Sequence, residues 1–287
     1  MAAGLVYADG HVHSNPVSGL GAEEIGKRFA SAGGWFMALV ILPPWHYGIS
    51  PRGLDDYKRA VEVFLSECRR LRQHVPRVAC FAGFHPAEVD KLTAKGMKLE
   101  DALQLGLQVV DYAAGLCRDG VLDGIGEVGR QHYKTTPERL AAATSIMVRA
   151  LEHARDHGCI LHLHLENAGR ATVDTVEVLR AAIGAPRGRI LFHHASSKVA
   201  ARAAELGYPA TVPGKREQLL AALDAAGPSF IPESDYIDDP RRPCVSSCPW
   251  EMVERQRSLL EEGLVDEETL YRINVDNVVK LYGVEPP

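Results

Sequence analysis

The sequence predicts an α/β fold, a (β/α)8 TIM barrel closed in a single domain over residues 1–287. Three observations carry that expectation. Apolar strand-like runs alternate with helical patterns eight times without interruption. The runs are dense in Val, Ile, Leu, Phe and Ala rather than strictly alternating, as parallel strands covered on both faces require. The unusual polar residues fall at the ends of those runs, where a barrel of this kind gathers its functional groups.

Taken in order, the expected strands are 5–13, 35–42, 77–85, 122–129, 159–166, 189–195, 208–214 and 229–236. Between them the 3.6-residue period predicts helices at 55–74, 99–118, 137–157, 172–183 and 198–206. Thr136-Pro137-Glu138 has the capping residue and first-turn proline of a helix start. Gly158, Gly184, Gly207 and Gly227 stand where helices should stop. No solenoid-period repeat, low-complexity tract or long linker interrupts the series. No Gly-rich dinucleotide fingerprint follows the first strand, which disfavours an open doubly wound sheet.

Composition narrows the functional classes. A net charge of −5 gives no cationic footprint for strong non-specific duplex binding. The longest apolar stretch, Trp35 to Trp45, is too short to span a bilayer and contains Pro43-Pro44. No basic region followed by a long apolar run opens the chain, so no signal peptide, no membrane partner and a cytoplasmic location are expected. The six cysteines are scattered; Cys80, Cys117 and Cys159 read as small buried hydrophobes in a reducing compartment. Cys244 and Cys248 can meet on a helix, but no second pair stands beside them to complete a structural metal site.

The chemistry concentrates at strand ends. His11 and His13 end the first run, His85 the third, Glu127 the fourth, His162 and His164 the fifth, His193 and His194 the sixth, and Asp235 the eighth. Residues two apart on a strand share a face, so His11 and His13 can chelate one ion. Imidazoles with carboxylates suit Zn²⁺, Mn²⁺, Co²⁺ or Fe²⁺ better than Mg²⁺ or Ca²⁺. Glu127 is placed to bridge two ions. Asp235 is placed to ligate one of them and to accept the proton of an attacking water. His164 lies nearer the strand end than His162, with His162 as the alternative ligand. His193 and His194 are adjacent and point to opposite faces, so one of the two represents the sixth strand; the downstream Ala195-Ser196-Ser197 favours His194, by the resemblance given below, with His193 as the alternative. Glu233 shares the face of Asp235 and is expected to orient neighbours.

Asp9-Gly10-His11-Val12-His13, Gly83-Phe84-His85-Pro86, Gly126-Glu127-Val128-Gly129, the His164 strand end, the sixth-strand histidines and Glu233-Ser234-Asp235 occur in this order. The series resembles the TatD-like metal-dependent hydrolases of the amidohydrolase superfamily. The segment Asn274-Val-Asp-Asn-Val-Val-Lys-Leu-Tyr-Gly283 is similar to that family's C-terminal helix, so the resemblance spans nearly the whole chain. It implies two divalent ions, Zn most readily, with Mn, Co, Fe or Mg as alternatives. One is held by His11, His13 and Asp235, the other by a fifth-strand and a sixth-strand histidine, with Glu127 between them. The chain departs from the pattern at Gln131, where many relatives carry an acid, and at His194-Ala195-Ser196-Ser197, where they carry His-Cys-Phe-Ser-Gly.

The expected reaction is hydrolysis by a metal-bound hydroxide, with Asp235 and Glu127 catalytic. His85 is expected to bind substrate or to stabilise charge in the transition state. The resemblance implies a phosphoester substrate, a nucleic-acid end above all, as in a TatD-like deoxyribonuclease. A small-molecule amide, lactone or phosphotriester is the enzymatic alternative, and a non-catalytic metal- or ligand-binding barrel the alternative of another class. Arg130, Trp45 and Tyr47 are expected at the substrate, and Lys215 and Arg241 also follow strand ends. Gly-x-Ser-x-Gly is absent.

Overall fold

A computed structural model describes residues 4–242, 244 and 246–286. Eight strands alternate with helices: β1 (Tyr7–Val12), β2 (Gly34–Val40), β3 (Arg77–Ala82), β4 (Gly124–Gly129), β5 (Ile160–His164), β6 (Ile190–Phe192), β7 (Thr211–Pro213) and β8 (Ile231–Glu233). The first six form one curled parallel sheet in sequential order, and β7 pairs with β8 in parallel. Isolated parallel bridges, Phe192 to Ala210 and Val12 to Tyr236, lie at the two seams. The expected single eight-stranded sheet is thus a six-stranded sheet, a two-stranded sheet and two bridges. Every expected strand is present, and most are shorter than the apolar run that announced them. At the seams the strand ends turn out of register: Asp235 and His194 have φ of 49° and 41°.

Side chains alternate across the curl. On β2, Phe36, Ala38 and Val40 enter an inner cluster with Phe81, Ile160, Leu191 and Ile231. Met37 and Leu39 face the opposite way, into the larger core under the helices. That period of two, apolar on both faces, is why the strands read as continuous hydrophobic runs. The inner cluster is closed from below by Val275, Val278 and Leu281 of the C-terminal segment.

The surrounding helices are α1 (Gly21–Ser31), α2 (Leu54–Leu71), α3 (Ala87–Ala94), α4 (Leu99–Arg118), α5 (Pro137–His157), α6 (Arg170–Ile183), α7 (Ser197–Leu206), α8 (Arg216–Ala226), α9 (Pro249–Glu261), α10 (Glu267–Tyr271) and α11 (Asn277–Tyr282). Thr136 caps α5 by accepting from Arg139 N at 3.4 Å. Gly158, Gly184, Gly207 and Gly227 each follow a helix with positive φ. No described helix is long and apolar enough to cross a membrane.

The cysteines correct the sequence reading. Cys68 is joined to Cys80, Cys117 to Cys159 and Cys244 to Cys248. The first pair ties α2 to β3 and the second ties α4 to the start of β5, with Cα atoms 6.5 and 6.2 Å apart. Helix-on-strand packing brings together residues that the linear sequence leaves scattered.

Candidate metal centre

Each strand delivers its polar residue to the C-terminal edge of the sheet. The register of β1 shifts between Asp9 and Val12. There the Asp9 carboxylate accepts from His11 N at 3.2 Å and from Ser234 N at 2.9 Å, tying β1 to β8. Burial raises the Asp9 pKa to about 7, against the hydrogen bonds from Ser234 and His11. The register of β4 shifts between Gly126 and Val128, which leaves Glu127 without a ladder partner. Gly129 (φ 150°) lies against the His164 carbonyl, and a side chain there would overlap it. This close approach brings Glu127 and His164 together.

Glu127 is the centre of the cluster and is 5% exposed. Its Oε1 lies 3.0 Å from His11 Nε2, 3.2 Å from His193 Nε2, 3.5 Å from His164 Nδ1 and 4.0 Å from His13 Nε2. Its Oε2 lies 3.1 Å from His85 Nε2. Burial opposes ionisation of Glu127, but the surrounding His85, His164 and His11 outweigh it and hold the carboxyl well below its usual range. Burial also lowers the affinity of the imidazoles for protons. It takes His85 down to about 3, with Glu127 opposing, and His11, His162 and His194 well below the ordinary histidine value. The result is a buried anion among imidazoles, four of which burial holds toward the neutral form.

Beneath this ring, each ligating face is fixed from behind. His13 Nδ1 donates to the Val40 carbonyl at 2.8 Å, turning Nε2 toward His11 Nε2, 3.3 Å away. His193 Nδ1 donates to Glu233 Oε2 at 2.7 Å. Burial disfavours charge on His193, but Glu233 and Glu127 more than offset it and raise its pKa well above the usual value. His11 Nδ1 meets His162 Nδ1 at 3.2 Å, and His162 Nε2 meets the Tyr282 hydroxyl at 3.2 Å.

Both sixth-strand histidines reach the cluster, where the sequence admitted one. His193, the expected alternative, stands against Glu127 and lies 3.8 Å from Asp235 Oδ1. The left-handed backbone at His194 swings its ring toward His164, with ring centroids 4.6 Å apart. Asp235 sits at the rim, with its Oδ2 accepting from Ser246 at 3.2 Å.

The expected substrate residues divide differently. Arg130 is bound in two places to Glu166, at 2.6 and 2.9 Å, and to Thr175 at 3.0 Å, so its guanidinium is already occupied. Tyr47 is buried, and its hydroxyl oxygen accepts from Leu42 N at 3.1 Å. Trp45 lies under Lys91 Nζ at 4.1 Å from its ring centroid. Arg241 pairs with Asp239 at 3.1 Å. The residue that sequence reasoning passed over is His132, on the loop after β4. Its ring centroid is 4.7 Å from that of His164 and 5.7 Å from that of His194. Its position five residues past Glu127, at the same strand end, was the available signal.

The donor set fits a divalent cation. Both ring nitrogens of His164 and Nε2 of His194 are buried without hydrogen-bond partners. Such groups are costly unless something binds them. His11, His13 and Glu127 bring one ligand atom each within 4.8 Å of one another, as do His85, Glu127 and His164. Nitrogen and carboxylate donors in this arrangement suit zinc-like ions.

A family profile described as TatD related DNase matches residues 8–283. The uncharacterized protein MJ1127 of Methanocaldococcus jannaschii is 29% identical over 283 residues, covering 98% of this chain and 97% of that protein. Among solved structures, a TatD-like protein from Archaeoglobus fulgidus superposes with a TM-score of 0.64 at 16% identity, over 97% of this chain and all of that one. A TatD homologue from Escherichia coli gives 0.65 at 16% identity, over 97% and 98%. The Escherichia coli phosphotriesterase homology protein, solved with phosphate in its active site, gives 0.64 at 12% identity, over 97% and 99%. The profile match spans the strand ends that carry the whole cluster, and the chain belongs to the TatD-related DNase family of hydrolases.

Proposed function

We propose that this chain is a divalent-metal-dependent phosphoester hydrolase, acting on nucleic-acid ends or small phosphoesters. The observation that carries the reading is Glu127, a buried carboxylate with the nitrogens of His11, His85 and His193 at 3.0–3.2 Å. Two ions are assigned, zinc first. One is taken by His11, His13 and Asp235, and the other by His164 with a sixth-strand histidine, with Glu127 shared. The two seam bridges support reading the eight strands as one closed barrel around this site.

A divalent ion held by these residues would supply Lewis acidity, lowering the pKa of water toward about 7 and polarising a phosphoryl oxygen. The chain's own groups do the rest. Asp235 stands at the rim 3.8 Å from His193 Nε2, where it takes the proton of the attacking water and returns it to the leaving oxygen. Burial raises its proton affinity, which suits a base working near neutral pH. His85 is partly exposed; its Nδ1 accepts from Ala87 N at 3.0 Å, and Nε2, 3.1 Å from Glu127 Oε2, is the nitrogen that would turn to a substrate oxygen. Glu233 holds His193 in a single orientation.

The test is a hydrolysis panel of single-stranded DNA ends, phosphomonoesters, phosphotriesters, lactones and cyclic amides, run with and without chelator, on wild type and Asp235→Ala. Chelator-sensitive release of nucleotide or phosphate, lost in Asp235→Ala, is the expected result. Turnover confined to lactones or amides, or full activity in Asp235→Ala, would overturn it.

A further inference from the structure

His132 belongs to none of the ligand sets derived above, yet it faces two of the least satisfied side chains in the molecule. One nitrogen each of His132, His164 and His194 falls within 4.8 Å of the other two. Ligands held about 2.0–2.1 Å from a zinc-like ion lie within about 4.2 Å of one another, inside that limit or close to it. His164 is 7% exposed, and both its nitrogens lack a hydrogen-bond partner, as does Nε2 of His194. The nearest acceptor, Glu127 Oε1, lies 3.5 Å from His164 Nδ1 without forming a hydrogen bond, whereas an ion between the three rings engages one nitrogen on each.

The loop carrying His132 is built to hold it there. On one side of it, Gln131 Nε2 donates to Asp90 Oδ2 at 2.8 Å and to the Pro86 carbonyl at 3.2 Å. On the other side, the Tyr133 hydroxyl reaches the same Asp90 oxygen at 3.1 Å, and Thr135 Oγ1 reaches Asp90 Oδ1 at 2.5 Å. Asp90 therefore clamps both flanks of His132 while leaving its imidazole free of the clamp. At the far corner, the left-handed backbone of His194 sets that ring against His164, with centroids 4.6 Å apart.

We infer that His132, His164 and His194 form a three-imidazole site for a divalent transition-metal ion. In this chain the second ion would then be held mainly by nitrogen, with a ligand from the β4 loop, and set outward from the His11–His13–Glu127 group. This deepens the metal-dependent reading above and rests on it. Three imidazole ligands with an open fourth position select Zn²⁺ or Co²⁺ over Mg²⁺ or Ca²⁺ and leave room for a water or substrate oxygen.

The test measures metal rather than turnover. Apo protein is titrated with Zn²⁺ by calorimetry and with Co²⁺ by visible absorption, in millimolar Mg²⁺, for wild type, His132→Ala, His132→Asn and His13→Ala. Circular dichroism verifies folding; because His132 is exposed, the Asn variant keeps the loop if the Ala variant does not. The expected result is that both His132 variants lose one equivalent, or bind it at least tenfold more weakly, with a changed Co²⁺ spectrum. His13→Ala retains that equivalent. Isotherms and spectra of both His132 variants that overlay wild type would overturn the site, even if the protein hydrolyses phosphoesters. A His132-dependent ion in a wild type that turns over no substrate would leave the site standing and overturn the hydrolase reading alone.

Discussion

His193 is held from both ends: Nδ1 donates to Glu233 Oε2 at 2.7 Å while Nε2 faces Glu127 Oε1 at 3.2 Å. Glu233 is completely buried, and its second oxygen has no partner. A carboxylate behind an imidazole fixes the tautomer and strengthens the outward nitrogen as a donor. Glu233→Gln keeps the shape and removes the charge. Zinc affinity is expected to fall about 10–100-fold with the fold intact. Unchanged affinity by calorimetric titration would show that His193 is not a ligand.

Arg130 is engaged by Glu166 and Thr175 rather than left open to substrate. Arg130→Ala is therefore expected to lower unfolding stability by about 1.5–3 kcal/mol, the range for hydrogen bonds to charged groups. KM should change little. Denaturant melts and steady-state kinetics separate the two roles; a large rise in KM with unchanged stability would restore Arg130 to the substrate.

Glu88 bridges Tyr57, whose hydroxyl lies 2.5 Å from Oε2, and the backbone N of His85, 2.9 Å from Oε1. Burial raises its pKa from 4.5 to about 8. Between these values the folded state holds a proton that the unfolded state has released. Stability of the metal-free protein should therefore decline as pH rises through that window, by up to about 1.4 kcal/mol per unit from this group. Glu88→Gln, a neutral stand-in for the protonated acid, should flatten that slope. Urea melts at several pH values in chelator decide it, and parallel slopes for the two proteins would refute it.

Metal removal should cost stability as well as activity. A ligand at 100 times its Kd adds about 2.7 kcal/mol to the folded state. For a chain this size that corresponds to roughly 5–10 °C in Tm. Chelator is expected to lower the Tm by that order, and zinc to restore it; a melting curve indifferent to both would argue against a resident ion.

The alternation of strands and helices was legible because burial on both sheet faces leaves long apolar runs, as in Phe36–Val40. The strand-end positions of His11, His13, Glu127, His164 and Asp235 were legible for the same reason. What the sequence hid depends on backbone direction. The left-handed turn at His194 lets both sixth-strand histidines serve one cluster, against the alternation rule. His132 was hidden because it lies on a loop, outside any period, and is placed by contacts to Asp90 from a distant helix. The partners of Arg130 and Tyr47 were hidden because a sequence does not reveal which polar groups are already taken. The cysteine pairs needed three-dimensional neighbours that spacing alone does not supply.

The column from His11 through His162 to the Tyr282 hydroxyl joins the first strand to the last helix. Asn274 reinforces it, accepting from Ala8 N at 2.9 Å while its carbonyl takes the Trp35 indole N–H at 2.9 Å. During synthesis the strand bearing His11 and His13 is made well before Asn274 and Tyr282, the residues that support it. A growing chain therefore carries its histidines without the props that aim them until the segment holding Asn274 and Tyr282 has been made and docks.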